Sequence, residues 1–251
     1  KSVGRPRLPR LRPEPDEDGG EHYQDVIADG KRTRGGTDVV GEVVPADLLG
    51  NLVLYYSFES LSGETTAIDI SGNSRHGQIY GAGHVQDDVL GGGMELAGSD
   101  VYVAVPDIAV EQFTFSTWVT ASTEGINNKL IYLLGDRSYY CTLQGNVDSG
   151  VSMTDSDNDE VNEYDWELML GEWNHITVTC DGRTICVYRN GKLTEVGEAP
   201  PGPFSGELYI GGCPFDGQSS WRGYIDEAGF FNRALTPEEV ARLFEMTGVE
   251  M

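Results

Sequence analysis

The sequence predicts an all-β protein: a two-sheet antiparallel sandwich with one short C-terminal helix and an extended N-terminal arm. About a dozen short stretches alternate apolar and polar residues, a pattern typical of half-buried strands. Glycine makes up 33 of the 251 residues, which fits a chain with many turns. The clearest meander lies between residues 173 and 192, where the turns Asp181-Gly182 and Asn190-Gly191 separate two predicted hairpins that share one strand.

Residues 1–50 are predicted to form the arm, and residues 51–251 the sandwich domain. Prolines at positions 6, 9, 13 and 15 disfavour helix and favour extended backbone. The first 13 residues carry a charge of +5, because they contain Lys1 and four arginines but no acidic residue. A segment of this composition is expected to be disordered by itself in water.

The arm also contains apolar residues that a passive linker does not need. Four valines between residues 39 and 44 favour strand. We therefore expect the arm to dock on a neighbouring copy of the chain, by adding a strand to its sheet or by lying in a groove. The alternative is a stalk that joins the domain to another partner or surface. The residues predicted to make this contact are Arg5, Arg7, Arg10, Arg12, Val39, Val40, Val43 and Val44.

The alternating pattern becomes regular from residue 51 onwards. Residues 52–59 form the first predicted strand, and a glycine-bearing loop follows at 67–77. Residues 113–121 place apolar and polar side chains on two faces, as expected for a half-buried strand. The other predicted strands cover residues 78–80, 94–96, 101–105, 129–134, 139–143, 150–154, 167–170, 173–178, 185–188, 193–196, 207–210 and 224–231.

One helix is predicted, at the C-terminal end. Thr236 is a typical N-cap residue, Pro237 suits the first helical position, and Glu239 completes a capping box. Gly248 is predicted to end the helix. Its apolar stripe, which should cover one end of the sandwich, consists of Val240, Leu243, Phe244 and Thr247.

The uneven charge of the chain excludes two classes of partner. Residues 51–251 hold 9 of the 17 basic and 31 of the 41 acidic residues, a net charge of −22. A body this acidic repels nucleic acid and anionic membranes, and attracts cations or a basic segment. The sequence has no run of about 18 apolar residues, so no membrane insertion is expected.

The four cysteines allow two disulfides or four reduced thiols. Cys180 and Cys186 flank the first of the two turns, close enough for a cross-strand bond if the register allows it. Cys141 and Cys213 would then be left to pair with each other. The alternative is four reduced thiols buried in strands. A zinc site is not expected, because neither a CxxC nor an HxxxH spacing is present.

Exposed aromatic residues are candidates for stacking on sugar rings. Trp118 and Trp173 are better explained by core packing. The residues predicted to lie on loops at one edge and to bind a ligand are Tyr139, Tyr140, Trp166, Gln218 and Trp221.

Eight motifs follow one another in a recognisable order: YSFE at 56–59, DISGNSRHG at 69–77, VYVAVP at 101–106, FTFSTWV at 113–119, GEWNHITVTCDG at 171–182, VYRNGK at 187–192, LYIGG at 208–212 and GYIDEAGFFNRALTPEEV at 223–240. Through them, the chain resembles the laminin-G type of the concanavalin A-like jelly roll, in the form common among bacterial extracellular modules. The resemblance covers residues 52 to about 244. It implies a secreted jelly-roll domain that binds rather than catalyses.

The resemblance also implies a calcium ion near the edge of the sandwich, where the first loop and the strand with the IDE motif approach each other. Oxygen ligands in a glycine-bearing loop suit this hard cation, which would also neutralise an inward-pointing Asp226. The alternative is a capping network in which these carboxylates accept backbone N–H bonds. The predicted ligands are Asp69, Asn73, a carbonyl at Gly77, Asp226 and, as a further ligand, Glu59.

We therefore expect a secreted, non-enzymatic structural or adhesive subunit that self-associates through its arm, by a contact that propagates into a fibre. A calcium-assisted carbohydrate-binding module is the alternative. A jelly-roll glycoside hydrolase is a remote third hypothesis, because Glu163, Asp165 and Glu167 have the spacing of a catalytic strand in one class of retaining glucanases. That class has aliphatic residues where Tyr164 and Trp166 stand, so no catalytic residue is predicted.

Overall fold

The computed structural model describes backbone and side chains for residues 43–59, 65–81, 92–96, 101–120, 172–199, 202–212 and 221–247, and backbone alone for the strands within 14–33, 84–91, 131–155 and 160–163. The strands are β1 (Glu14–Pro15), β2 (Glu21–His22), β3 (Val26–Ala28), β4 (Lys31–Thr33), β5 (Leu52–Tyr56), β6 (Thr66–Ala67), β7 (Gly77–Tyr80), β8 (His84–Asp88), β9 (Gly91–Leu96), β10 (Tyr102–Val110), β11 (Phe113–Val119), β12 (Ile131–Leu134), β13 (Tyr139–Asn146), β14 (Ser149–Asp155), β15 (Glu160–Glu163), β16 (Asn174–Cys180), β17 (Thr184–Arg189), β18 (Lys192–Glu198), β19 (Phe204–Ile210) and β20 (Gly223–Phe231). Helix α1 spans Pro237–Met246.

These strands form the antiparallel two-sheet sandwich that the sequence predicts. The larger sheet has the order β18-β17-β16-β11-β20-β9-β8, and β5 also pairs with β20. The smaller sheet has the order β12-β19-β10-β7-β6. Strands β13, β14 and β15 form a separate three-stranded sheet, and β1–β2 and β3–β4 pair as hairpins within the arm. Strand β8 was not predicted, because an edge strand does not require an alternating apolar face.

The core lies between the eight-stranded and five-stranded sheets. Phe115 on β11 and Phe230 on β20 point into this space and are at most 1% exposed. Val103 on β10 and Leu208 on β19 close the core from the five-stranded sheet and are completely buried. Burial of each such side chain stabilises the fold by roughly 1.5–3 kcal/mol. The alternation seen in the sequence therefore assigns one face of each sheet to the core.

The other face of the eight-stranded sheet is also covered. Helix α1 and residues 43–51 lie on it and form a second buried cluster, which includes Val44 and Leu243. Arg242 on the helix donates two hydrogen bonds to the carboxylate of Asp47, at 2.8 and 3.2 Å. Two segments from opposite ends of the domain thus close this outer face together.

Helix α1 begins with the capping box that the sequence predicts. Thr236 Oγ1 accepts a hydrogen bond from the Glu239 N–H at 3.3 Å, and Glu239 Oε2 accepts one from the Thr236 N–H at 2.8 Å. Arg233 donates two further bonds to the same carboxylate, at 2.7 and 2.8 Å, and thereby lowers the pKa of Glu239. Among the residues that the structure describes, no helix has the length and apolar character needed to cross a membrane.

Candidate functional site

The five-stranded sheet carries three neighbouring tyrosines on its outer side, Tyr80 on β7, Tyr102 on β10 and Tyr209 on β19, which we call the tyrosine face. Tyr80 and Tyr102 are register partners, and their rings stack at a centroid distance of 4.9 Å and an interplanar angle of 22°. Tyr102 meets Tyr209 edge to face at 5.6 Å. Tyr80 is 47% exposed, so the cluster reaches solvent.

Strand alternation places these rings on the outer side. Ile79 and Val103, the neighbours of Tyr80 and Tyr102 along their strands, belong to the core between the sheets. Successive side chains of a strand point to opposite faces, so the tyrosines face away from the core. The sequence predicted strands at 78–80, 101–105 and 207–210 but singled out none of these tyrosines. Only the strand order shows that the three rings meet.

Polar side chains border the tyrosine face. The Tyr209 hydroxyl donates a hydrogen bond to Oε2 of Glu207, an exposed residue two positions earlier on β19. Gln78, exposed on β7, donates from Nε2 to the carbonyls of Thr65 at 2.7 Å and Ile79 at 3.2 Å. Ligand sites usually combine aromatic side chains with a few polar groups in fixed positions.

Asp69, a predicted calcium ligand, holds the loop between β6 and β7. Its Oδ1 accepts hydrogen bonds from the N–H groups of Tyr55 and Ser71, both at 2.9 Å, and Oδ2 accepts one from the Arg75 N–H at 2.8 Å. The backbone N–H of Asp69 donates to His76 Nδ1 at 3.0 Å. This arrangement corresponds to the capping network that was the alternative to a calcium site.

The other two predicted ligands of this loop also have structural partners. Asn73 Nδ2 donates to the carbonyls of Leu52 at 2.8 Å and Val53 at 3.2 Å. Gly77 packs so closely against Val103 and Tyr56 that a Cβ atom at this position would collide with the valine side chain. The close approach of Val103 on the neighbouring strand β10, with Tyr56 next to it, therefore explains the glycine.

Glu59 and Asp226 are engaged at other places. Glu59 Oε1 accepts a hydrogen bond from the Gly92 N–H at 2.9 Å. Asp226 is fully buried opposite Trp118, and its Oδ1 accepts a bond from the Glu227 N–H at 2.7 Å. Within the described residues, no three His, Cys, Asp or Glu side chains are grouped so that they could hold a metal ion. The three predicted carboxylates are therefore not gathered at one point, and calcium binding stays a prediction.

Trp221, a predicted ligand-binding residue, is part of the core. Its ring is 0% exposed, and Nε1 donates a hydrogen bond to the Thr120 carbonyl at 2.7 Å. The prediction for Trp221 was wrong because an internal acceptor satisfies the indole N–H, which allows the whole ring to be buried.

The register rules out the predicted bond between Cys180 and Cys186, and both are free thiols. Cys180 pairs with Ile185, and Cys186 pairs with Thr179. The two cysteines therefore point to opposite faces of the sheet, which corrects the prediction. Cys180 lies in the core, where burial raises the pKa of its thiol to about 11. Cys186 packs against the outer cluster.

Two of the predicted assembly residues are used within their own chain. Val43 is 2% and Val44 is 0% exposed, because both pack in the cluster on the outer face of the eight-stranded sheet. Their apolar surface is therefore not available to a neighbouring copy, contrary to the expectation.

The remaining predicted site residues are outside the part of the chain whose side chains are described. Tyr139, Tyr140 and Cys141 lie on β13, and Glu163 ends β15. The others, for which neither backbone nor side chain is described, are Arg5, Arg7, Arg10, Arg12, Val39, Val40, Asp165, Trp166, Glu167, Cys213 and Gln218.

Comparison with known families agrees with the fold and the resemblance. The chain matches a laminin-G family, described as the concanavalin A-like lectin/glucanases superfamily, over residues 97–241. Because this range is more than half of the chain, the protein belongs to that superfamily. No curated protein matches the sequence.

Similar solved structures include several binding domains. One is domain 4 of AbnA, a GH43 extracellular arabinanase from Geobacillus stearothermophilus, which was solved in complex with arabinotriose. It is 21% identical to this chain with a TM-score of 0.64, and the match covers 77% of this chain and 98% of that domain. A botulinum neurotoxin type C structure is 16% identical (TM-score 0.62; 81% and 53% coverage). The binding domain of Paraclostridial Mosquitocidal Protein 1 is also 16% identical (TM-score 0.62; 78% and 52%). This chain spans about half the length of the two toxin structures, and all three similarities show a shared jelly-roll fold.

Proposed function

We propose that this protein is a non-enzymatic, extracellular carbohydrate-binding module that holds glycans against the tyrosine face. The observation that carries the proposal is the exposed ring of Tyr80, which stacks on the half-buried Tyr102 beside the buried Tyr209. The negative faces of aromatic rings attract the weakly positive C–H groups of a sugar ring. Glu207 and Gln78 supply polar atoms for the sugar hydroxyls at the border of this cluster.

The architecture favours this sheet over the opposite one. Helix α1 and residues 43–51 cover the outer face of the eight-stranded sheet. On the outer face of the five-stranded sheet, Gln78, Tyr80 and Glu207 are exposed. Among the described residues, Tyr80 is the one phenylalanine, tyrosine or tryptophan side chain that is exposed, and it lies on the second of these faces, whereas the paired Trp173 and Tyr224 at the eight-stranded sheet are half-buried.

The similar solved structures support a glycan as the ligand class. The AbnA domain was solved with arabinotriose, and the similarity extends over 98% of that domain. Cell entry of botulinum neurotoxin type C depends on interaction with two ganglioside molecules, although the similarity covers 53% of that chain. Neither finding supports self-association, and Val43 and Val44 are already buried in their own domain.

Affinity electrophoresis against soluble polysaccharides, including arabinan, tests the proposal, with calorimetry on the best ligand. We expect Tyr80→Ala and Tyr102→Ala each to weaken binding roughly 2- to 10-fold, since an aromatic contact contributes about 0.5–1.5 kcal/mol. Val196→Ala is the matched control, because Val196 is 56% exposed on β18 of the other sheet and should not affect binding. Absence of binding across the panel, or equal affinity of all three variants, would contradict the proposal.

A further inference from the structure

The charged residues on the strands of the tyrosine face all have the same sign. Strands β7, β10 and β19 contain two acidic residues, Asp107 and Glu207, and no lysine or arginine. Arg75 precedes β7, and its Nη1 donates to the Asp107 carbonyl at 2.9 Å. A ligand on this face therefore meets negative charge and aromatic rings together.

Glu207 is held next to the aromatic cluster. The hydrogen bond from the Tyr209 hydroxyl engages Oε2, and within the described residues Oε1 makes no further hydrogen bond. The Glu207 side chain is exposed and therefore accessible to a ligand, whereas Tyr209 itself is only 6% exposed. Ammonium groups are attracted both by carboxylates and by the faces of aromatic rings. The combination of Glu207 with the accessible rings of Tyr80 and Tyr102 therefore suits a cationic sugar.

The net charge of the whole chain also favours a cationic ligand. The net charge is −24, of which residues 51–251 contribute −22. A field of this sign repels sugars that carry carboxylate or sulfate groups and concentrates cationic ones near the surface. We propose that the tyrosine face selects glycans that contain protonated amino sugars and rejects acidic glycans. This inference rests on the proposed carbohydrate-binding function and specifies its ligand class.

Three tetrasaccharides with one linkage test the inference: cellotetraose, the corresponding glucosamine tetramer, and its N-acetylated form, which differ only in the group at C2. Calorimetry at mildly acidic pH, where the amines are protonated, measures all three. We expect the glucosamine tetramer to bind roughly two- to fivefold more tightly than the other two, the effect of one exposed ion pair. Added salt should reduce this preference, because exposed charges are screened.

Substitution of the carboxylate separates a local contact from the general field. Glu207→Gln should remove the preference for the glucosamine tetramer over cellotetraose, because it removes the charge of the carboxylate and keeps a polar side chain of similar size. Glu245→Gln changes the net charge by the same amount at an exposed position on α1, and should keep the preference. A preference that survives Glu207→Gln, or is lost equally in Glu245→Gln, overturns the role of this carboxylate.

The outcomes distinguish the inference from the function on which it rests. If cellotetraose and the glucosamine tetramer bind equally well, or if all three tetramers fail while another polysaccharide binds, the amino-sugar inference is overturned and the binding function stands. If no glycan binds at all, both are overturned.

Discussion

Asp69 is the residue on which the loop between β6 and β7 depends most directly. Its carboxylate accepts three backbone N–H bonds, from Tyr55, Ser71 and Arg75, and is only 6% exposed. One of these donors lies on β5, so the side chain fastens the loop to the eight-stranded sheet. Removing the acceptor would leave partly buried N–H groups without a partner, which is more costly than the loss of an exposed hydrogen bond.

We therefore expect Asp69→Ala to lower the free energy of unfolding by roughly 2–5 kcal/mol, with Asp69→Asn intermediate because it keeps one acceptor oxygen. Urea unfolding in buffer with a chelator and in buffer with calcium measures this loss. An equal loss in both buffers agrees with the capping role. A loss that appears only with calcium would instead assign Asp69 to the predicted ion site.

His175 on β16 lies in an apolar environment beneath α1. It is 1% exposed, and its ring is 5.2 Å from that of Trp118 and 5.6 Å from that of Phe244, centroid to centroid. Nε2 is 2.9 Å from the hydroxyl of Ser116, whereas Nδ1 has no hydrogen-bond partner among the described residues. Burial lowers the pKa of this imidazole to about 3, so the folded protein holds it neutral.

The unfolded chain takes up a proton on this histidine below pH about 6.5, and the folded chain does not. Above pH 6.5 the imidazole is neutral in both states, so its protonation does not affect stability. As the pH decreases from 6.5 toward 3, the free energy of unfolding falls by up to about 1.4 kcal/mol per pH unit. We expect His175→Gln to flatten this slope between pH 7 and 5, above the range in which carboxylates titrate. Urea unfolding at three pH values tests this, and an unchanged slope would show that His175 does not cause it.

At the scale of elements, register determines which side chains meet. Cys180 and Cys186 flank a turn, yet their offset places them on opposite faces of the sheet. Tyr80, Tyr102 and Tyr209 lie far apart in sequence, yet β7, β10 and β19 are adjacent and bring their rings together. A shift of one residue in either set of strand pairings would reverse these relations, because the side-chain period of a strand is two.

Residues 43–51 behave as an element of the sandwich, because Val43, Val44 and Leu48 are at most 2% exposed. We expect residues 43–251 to be more stable than residues 51–251 by roughly 4 kcal/mol, since three buried apolar side chains contribute about 1.5–3 kcal/mol each before correction for the unfolded state. Urea unfolding of the two truncated chains measures the difference. Val44→Ala in the longer chain is the point-substitution control and should reproduce part of it. Equal stability would mean that the contact is not maintained in solution.

At the scale of the whole molecule, the two outer faces of the sandwich have different roles. The N-terminal segment and helix α1 close one face, and Arg242 joins them through Asp47. The other face carries the tyrosines and the acidic residue Glu207 in a chain of net charge −24. The tyrosine and glutamate variants proposed above therefore test whether the face that carries the exposed Tyr80 is the one that binds ligands.

The sequence predicted correctly those features that depend on residues close together in the chain. The capping box of Thr236 and Glu239 and the alternation around Phe115 have short-range causes, and the structure contains both features. The predicted ligand site was less accurate. Trp221 was predicted to be exposed but is buried, whereas Tyr80 was not singled out and is exposed. Exposure depends on which distant segments pack against a strand, and that information is not present in the spacing of nearby residues.

The sequence by itself determined the all-β class, the superfamily, the capped C-terminal helix and the excess of acidic charge, because periodicity, motifs and composition are properties of neighbouring residues. Only the tertiary structure decided that Asp69 holds a loop through three N–H bonds, that Val44 packs within its own domain, and that three tyrosines meet on the outer side of one sheet, where Tyr80 is exposed. Each of these depends on sheet order and register, which bring residues together regardless of their separation along the chain.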